Sequence, residues 1–555
     1  MMSNKRVYGI DLGTTYSCIA HVDEHGKPVV LSNSEGDLTT PSVVYFEGAE
    51  EIVVGQAAKD ISSVEPESCV STVKRVMGDP NWEFSCYEKT YKAQDISSFI
   101  LRKVVRDAEL ATGEKIEDVV ITCPAYFGVN EKLATQQAGI LAGLNVLYVI
   151  PEPTAAALAY GIEQDQNQVV LVYDLGGGTF DVSLIEIKDK EINVICTGGD
   201  HQLGGKNWDD AIVSYLADAF EKEHGTTADE LMEDMETYQE LLNAAERIKK
   251  TLSNRKSVTE PVRFAGKRAK VEITREVFDE ITRSFLDRTL SLTESEIDKA
   301  KGKGFASIDK LLLVGGSTYM PQVMEAIKER FSLDILQFDP NQAVAKGAAI
   351  FGFKCHLDQQ IKAKVAEKTG QSEESIDLAI GGKVVEDALQ EVAESHGLAL
   401  PGLKKLVEKR ITNVSSKSFG IKVIDPNRGK EVVANMIYVD DKVPVTVSQK
   451  FGTHDDNQSE AELVCMENQE PEGNRVVEMD VCREIGKAIL KFNKPMPRNS
   501  PVEITFSLGA DGLLSLKGKD LTDNVEIDAV FETESVMSTT EVETSKSRNL
   551  AIVVS

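Results

Sequence analysis

The chain has 555 residues and a formal net charge of −29, from 61 lysines and arginines against 90 aspartates and glutamates. A chain this long folds as more than one domain, and so acidic a one is a poor partner for nucleic acid or an anionic membrane, both of which reward basic surface. Its 41% hydrophobic and 27% charged content is that of a soluble globular protein. The eight cysteines, at 18, 69, 86, 123, 196, 355, 465 and 482, form no CxxC pair and read as reduced thiols in a reducing, cytoplasmic setting. Residues 1–6 lead into no apolar signal segment, and no apolar run approaches the ~20 residues of a membrane helix.

The first motif is Val7-Tyr8-Gly9-Ile10-Asp11-Leu12-Gly13-Thr14-Thr15-Tyr16-Ser17-Cys18. It reads as strand, Asp, glycine turn, Thr, second strand. The same plan recurs at Val172-Tyr173-Asp174-Leu175-Gly176-Gly177-Gly178-Thr179-Phe180-Asp181. The three glycines are expected to take φ values that other residues avoid and to turn backbone N–H groups inward as an anion nest. One such motif could be an ordinary glycine-rich hairpin. Two suggest related lobes that each offer a phosphate loop. Neither is a Walker loop or a dinucleotide fingerprint, since no G-x-x-x-x-G-K-[ST] occurs and a strand, not a helix, follows each turn.

Between the hairpins, Lys74-Arg75 is the kind of pair that usually sits on a solvated surface, although a lysine there could reach a γ-phosphate. Helices are expected over 96–111 and 131–142, and strands over 119–122 and 145–150. In Pro151-Glu152-Pro153-Thr154-Ala155-Ala156-Ala157, Pro153 suits a first helical turn. The alanines allow close packing, as at a hinge between lobes. Glu152 could hold a metal-bound water or simply complement the helix dipole. Gly198-Gly199-Asp200 and Leu203-Gly204-Gly205 form a further glycine-rich loop before helical stretches at 208–223 and 228–252. In the second, Glu246, Lys249, Lys250 and Ser253 share a face. Val314-Gly315-Gly316-Ser317-Thr318 is a third strand-to-glycine turn. Asp339-Pro340-Asn341 then opens a helix of small residues, 343–350.

Asp-Leu-Gly-Thr-Thr, Glu-Pro-Thr-Ala-Ala-Ala, Asp-Leu-Gly-Gly-Gly-Thr-Phe-Asp and Val-Gly-Gly-Ser-Thr occur in that order. The set resembles the 70 kDa heat-shock chaperone family of the actin-like ATPase group, through about residues 6–353. The resemblance implies an α/β actin-like two-lobed ATPase domain (1–355). After it come a helical insert in place of the usual linker (356–410), a C-terminal β-sandwich for peptide (411–535) and a polar tail with an apolar end (536–555). It implies ATP/ADP and Mg²⁺, with K⁺ as a further candidate. Asp11, Glu152 and Asp174 would hold the waters around Mg²⁺. Lys74 would meet the γ-phosphate, with Thr179 nearby. Asp174 would polarise the attacking water, with Asp181 as the alternate. Gly13, Thr14, Thr15 and Tyr16, with Gly176, Gly177, Gly178 and Thr179, would contact phosphate. Gly204, Gly205, Glu246, Lys249, Lys250, Ser253, Gly315, Gly316, Ser317 and Asn341 would complete the nucleotide site. Tyr319 stands where the family has an arginine stacked on adenine.

From Ser418 the pattern becomes short strands, at 419–424, 432–437, 443–451, 461–466, 476–481, 502–508, 513–517 and 525–531. By the resemblance Ile421, Ile424, Phe451, His454, Ala461 and Leu463 line or cover a peptide cleft, and too few residues follow for the family's helical lid. The apolar end, 550–554, reads as a cover, a self-ligand or a last edge strand. The implied function is an ATP-driven chaperone for unfolded or extended protein segments. A switch dedicated to one partner is the second reading, and a sugar or glycerol kinase of the same group a poor third. A nucleotide-exchange factor is an implied partner. A J-domain partner is left open, because Tyr148 and Pro151 replace an arginine and a polar residue that the family carries. Pro124 and Lys132 match its relay positions. The 357–410 stretch is expected to be either a docking element or a passive spacer.

Overall fold

The computed structural model describes residues 6–161, 167–188, 190–378, 382–426, 428–470, 474–529 and 536–555. The repeated hairpin is the seed of two sheets. Val7–Asp11 pairs antiparallel with Tyr16–Val22 and parallel with Asp118–Cys123. Gln168–Leu175 likewise pairs antiparallel with Phe180–Lys188 and parallel with Lys310–Val314. The first sheet runs Asn145–Pro151, Asp118–Cys123, Val7–Asp11, Tyr16–Val22, Pro28–Val30. The second runs Ile335–Gln337, Lys310–Val314, Gln168–Leu175, Phe180–Lys188, Glu191–Asp200 and continues into Arg410–Val414 and Lys442–Val443. The central parallel strands are covered on both faces, so they read as unbroken apolar runs rather than alternation.

Two helices cross between the sheets, Glu152–Gly161 and Ala343–Thr369. They approach so closely that a Cβ on Gly347 would lie 1.8 Å from the Ala155 carbonyl oxygen. This contact is what the small residues of both segments permit, and it makes the joint between the lobes.

The long helix runs straight across the boundary expected at 355/356. Leu357, Ile361 and Val365 continue its apolar stripe at i, i+4, and the helices Lys383–His396 and Leu400–Glu408 lay Val385, Leu389, Val392 and Leu403 against it. The described residues of 356–408 therefore thicken the core between the lobes and are not a detached insert or spacer. The chain then meets the second lobe through the strand Arg410–Val414. It pairs parallel with residues 191–193 of the second lobe and antiparallel with residues 442–443, so the border expected at 410/411 also falls inside an element.

Beyond it, a five-stranded sheet (Val476–Glu478, Lys430–Ile437, Ser418–Asp425, Gln458–Asn468, Arg483–Met496) and a four-stranded sheet (Val445–Gly452, Pro501–Leu508, Leu514–Asp520, Glu526–Ala529) enclose one core. Arg483–Met496 is a strand that sequence reasoning missed. Lys487 and Lys491 point outward between buried Ile485, Leu490 and Phe492, and that alternation was the available signal. Residues 530–531 of the last expected strand lie outside the described residues, as do residues 530–535 of the expected β-sandwich. The hairpin Ser257–Phe264 with Lys267–Thr274 and the helix Arg275–Gly302 were also not foreseen.

The expected polar tail is ordered where it is described. Ser538 caps the helix Thr539–Ala551 in a capping box with Glu541. Val553–Val554 then pairs parallel with residues 51–52 of the first lobe. Of the three readings of the apolar end, the edge strand is the one seen, and it belongs to the first lobe. Among the described residues no helix is long and apolar enough to cross a membrane.

Candidate functional site

The two hairpin turns face each other across the lobes. A Cβ on Gly177 would lie 1.9 Å from Thr15 Oγ1, and one on Gly178 would lie 2.4 Å from Thr14 Cγ2. None of Gly176, Gly177 and Gly178 has positive φ. The sequence reading was wrong on that point: Gly177 and Gly178 give room for the opposing threonines, not a left-handed turn. The second turn is braced from behind by Gly205 N–H donating to the Gly176 carbonyl (2.9 Å) and Lys206 N–H to the Gly177 carbonyl (2.7 Å).

A cavity of about 460 Å³ opens between the turns, a size that suits one small ligand. Its walls carry Asp11, Gly13, Thr14, Thr15, Tyr16, Lys74, Glu152, Asp174, Gly176, Gly177, Thr179, Glu246, Lys249, Lys250, Ser253, Gly315, Gly316, Ser317, Tyr319 and Asn341. Gly178, Gly204, Gly205 and Asp181 do not line it. Gly204 and Gly205 stand behind the second turn, where a Cβ on Gly204 would sit 2.5 Å from the carbonyl carbon of Gly178. Asp181 is 1% exposed and accepts the Tyr126 N–H at 3.2 Å. Of the two candidates for polarising a water, Asp174 alone reaches the cavity. Cys18, Thr39, Asn254, Met320, Pro340 and Val344 also line it, and sequence reasoning missed them. Cys18 and Pro340 lie inside quoted motifs and Asn254, Met320 and Val344 within a few residues of one, whereas Thr39 is near none and had no local signal.

Lys74 is not a surface residue. It is 5% exposed and ion-pairs with Glu152 at the cavity floor. Burial alone would lower the Lys74 pKa, but Glu152 and Asp11 more than offset it and hold the ammonium above its ordinary value. The carboxylates bear the cost. Burial and then Glu152 push Asp11 up to about 7, Asp181 up to about 7, and Asp174 well above the usual range. Several acids thus share one lysine, and a cation would relieve their repulsion. Among the described residues no three His, Cys, Asp or Glu side chains converge closely enough to hold an ion directly.

At the cavity mouth Tyr16 and Glu246 close the lobes. Tyr16 Oη donates to Glu246 Oε1 at 2.9 Å, Lys250 Nζ donates to Tyr16 Oη at 2.8 Å, and Lys59 ion-pairs with Glu246. The flanking Lys59 and Lys250 hold the Glu246 carboxyl down at about 2 against the effect of burial. Lys249 donates to the Gly205 carbonyl at 2.9 Å and meets Asp209 at 2.6 Å. Ser317 Oγ donates to the Gly176 carbonyl at 2.8 Å, tying the third glycine turn to the second. Tyr319 is 48% exposed on the cavity wall.

The expected peptide residues are less closely gathered. Ile421 and Leu463 are buried in the core of the β-domain, with Phe451 and Ala461 packed against that core. Ile424 and His454 are exposed. Tyr148 stacks edge-on against Phe351 at 5.3 Å. Lys132 and Pro151 line a small gap beside Asn413 and Asp511, between the ATPase domain and the β-domain.

The chain matches the family model described as Hsp70 protein over residues 7–84, 78–362 and 395–551. The stretch left between the last two matches is part of the helical layer packed on the long helix. The chain is also 34% identical over 533 residues to "Chaperone protein DnaK" from each of two strains of Halobacterium salinarum, an overlap of 94% of this chain and 74% of the relative.

Proposed function

The chain belongs to the Hsp70 family of ATP-dependent chaperones, and from that premise we propose that ATP hydrolysis in the cavity between its lobes is coupled, through the strand Arg410–Val414, to peptide binding by residues 418–529. The ATPase is the two-lobed actin-like kind. The observation that carries the site reading is the convergence of both hairpin turns, Lys74 and the acids on one cavity. The phosphates would lie between Gly13–Tyr16 and Gly176–Thr179, where backbone N–H groups meet them. Asp11, Glu152 and Asp174 would hold Mg²⁺ through its water shell, in keeping with an ion that dehydrates reluctantly; K⁺ is a further candidate for the same acidic floor. When bound, Mg²⁺ supplies charge that neutralises the β- and γ-phosphates. Lys74, fixed by Glu152, would steady the γ-phosphate. Asp174 would accept a hydrogen bond from the attacking water, with Thr179 beside it, and Asp181 behind would support Asp174 without touching the water. Tyr319 would stack on the base, with Glu246, Lys249, Lys250, Ser253, Gly315, Gly316, Ser317 and Asn341 around the nucleoside.

Residues 1–410 are read as the ATPase domain with its helical layer, residues 418–529 as the peptide-binding part, and exposed Ile424 and His454 with half-buried Phe451 and Ala461 as its approach over Ile421 and Leu463. Eight free cysteines suit a reducing compartment, so the cytoplasmic assignment stands as part of this reading. A nucleotide-exchange factor is an expected partner. A J-domain partner is expected to act weakly, because Tyr148 offers a ring packed on Phe351 in place of a free guanidinium. The dedicated-partner reading is not favoured.

The test is ATP turnover by the purified chain, with and without an extended apolar peptide. Stimulation by many unrelated peptides is expected, and no response to any of them would defeat the coupling. Tyr319→Ala is expected to weaken ATP binding by about 3- to 10-fold, the worth of one stacked ring, read as Kd by calorimetry. An unchanged Kd would remove Tyr319 from the base site.

A further inference from the structure

Residues 536–555 return to the first lobe and meet a surface that fits them closely. Val553 N–H donates to the Glu50 carbonyl (2.9 Å), Ser555 N–H to the Ile52 carbonyl (2.9 Å), and Val54 N–H to the Ser555 carbonyl (3.1 Å). These bonds add an outer strand to the sheet of Glu51–Val54, Val43–Gly48 and Cys69–Ser71. Ile552 and Val554 are buried in the first lobe's own core. Asn549 is fully buried, and its amide donates to Asp95 Oδ1 (2.9 Å) and Ser98 Oγ (3.1 Å).

Two arginines make this more than an edge strand lying on a convenient surface. Arg102 and Arg106 stand one turn apart on the helix Ala93–Thr112. Arg102 donates to the carbonyls of Asn549 and Ile552, and Arg106 to that of Val554. Burial and the neighbouring Arg106 push the Arg102 guanidinium down. Side by side, the two repel each other, and what they grip is the backbone of an extended segment. The helix therefore presents a cradle for carbonyl groups beside a sheet edge that offers the matching ladder. This is the chemistry of strand addition, with main-chain bonds for affinity and buried side chains for selectivity. The strand itself lies beyond residue 551, past the last stretch that matches the family model.

We propose that this face of the ATPase lobe is a strand-accepting site whose ligand is the chain's own residues 549–555, and that the bound segment is a latch. The β-domain leaves the second lobe at Arg410–Val414 and is fastened again, at its far end, to the first lobe. Held at both ends, it stays beside the ATPase domain after either attachment opens, because the other keeps its effective concentration high. The inference does not depend on peptide binding by the β-domain.

The test is hydrogen exchange on the full chain and on the double variant Val553→Pro, Ser555→Pro, which deletes two ladder donors at the chain's periphery without touching either domain's core. Loss of protection by tenfold or more is expected at the Val54 amide and also at the remote strand Arg410–Val414. Exposure of Val54 with no change at Arg410–Val414 would overturn the latch. No change at Val54 would overturn the site itself. A chain ended after residue 535 gives an independent reading, with ATP binding as the control for its fold. It is expected to bind a labelled 536–555 peptide at least tenfold tighter than the intact chain does, and tighter than it binds the Asn549→Ala peptide. Equal binding by the truncated and intact chains would overturn the proposal, and if the truncated chain does not fold, the double proline variant decides.

Discussion

Two clusters of buried acids differ in what surrounds them. In the nucleotide cavity Asp11, Glu152 and Asp174 share Lys74 and open onto space. Between the ATPase domain and the β-domain, Glu131 and Glu467 aim at each other over Gly128, where a Cβ would lie 2.8 Å and 2.6 Å from their respective Oε2 atoms. Neither of those oxygens has a hydrogen-bond partner. Arg483 pairs with Glu131 at 2.9 Å, and Lys417 sits 3.8 Å over the Tyr126 ring nearby. In the proposed reading the first cluster would receive an external cation. The second also lines a space, of about 740 Å³, but it is closed at the carboxylates themselves, since Glu131 Oε2 and Glu467 Oε2 are buried, and burial favours a proton on Glu467. A buried acid group can thus mark a ligand site or a domain contact, and what decides is the access of its carboxylate oxygens, not the presence of space nearby.

The largest effect is expected in the open cluster. Lys74→Ala leaves Glu152 buried without its ammonium and, in the proposed reading, removes the cation that would steady the γ-phosphate. ATP turnover should fall by about 10²-fold or more, the scale of losing a preorganised charge. Asp174→Asn should do the same. Single-turnover kinetics with bound ATP checks this, and an unchanged rate in Lys74→Ala would show that the pair is merely structural.

The closed cluster should answer to pH. Burial, and then Glu131, push Glu467 up to about 7, against the milder opposing effects of Lys417, Arg483 and the Val129 N–H. A carboxyl raised in the docked form contributes stability that is fully present below its ordinary value near 4.5. That contribution is lost as pH rises towards 7. Docking should therefore weaken by at most about tenfold per pH unit across that window and flatten above it. Glu467→Gln, which keeps the shape and cannot ionise, should remove the slope and favour docking at pH 8. Exchange protection of Arg410–Val414 against pH reads this directly, and a slope that survives in Glu467→Gln would assign the titration elsewhere.

The open cluster was readable in the sequence and the closed one was not, and the reason is physical. Asp11 and Asp174 sit at the ends of strands beside glycine turns, and Glu152 opens a helix between two prolines. The proposed phosphate site is therefore built from short stretches that announce themselves one at a time. Even there, the φ values expected of Gly176, Gly177 and Gly178 were wrong, and for Gly177 and Gly178 the need for room comes from Thr14 and Thr15 on the other lobe. Glu131 and Glu467 lie far apart in the chain, on a helix and a strand with unremarkable composition. They meet only through docking, which no local pattern encodes. The same holds for the helical layer after residue 356. Its amphipathic spacing was plain, but that it packs on the long helix instead of spanning a gap depends on the apolar stripe of Leu357, Ile361 and Val365 continuing a helix the sequence reading had ended at 350.

The smallest effect separates the two partners of the closed cluster. Arg483 is 42% exposed at its side chain and Glu131 19%, so their pair is partly screened by solvent. Arg483 also donates to the Gly78 carbonyl at 3.0 Å, a bond that water can replace. Arg483→Gln should weaken docking by less than about 1 kcal/mol, as exposed pairs do. The difference from the unmodified chain should shrink as salt rises from about 0.05 M to 0.5 M, because the Debye length falls from about 14 Å to about 4 Å and the partly exposed charges are screened. The pH slope set by Glu467 should persist, since a proton and not the guanidinium settles its charge. A tenfold or larger loss of docking in Arg483→Gln that high salt leaves in place would mean the ion pair holds the domains together. Glu467 would then be a neutral bystander packed beside it.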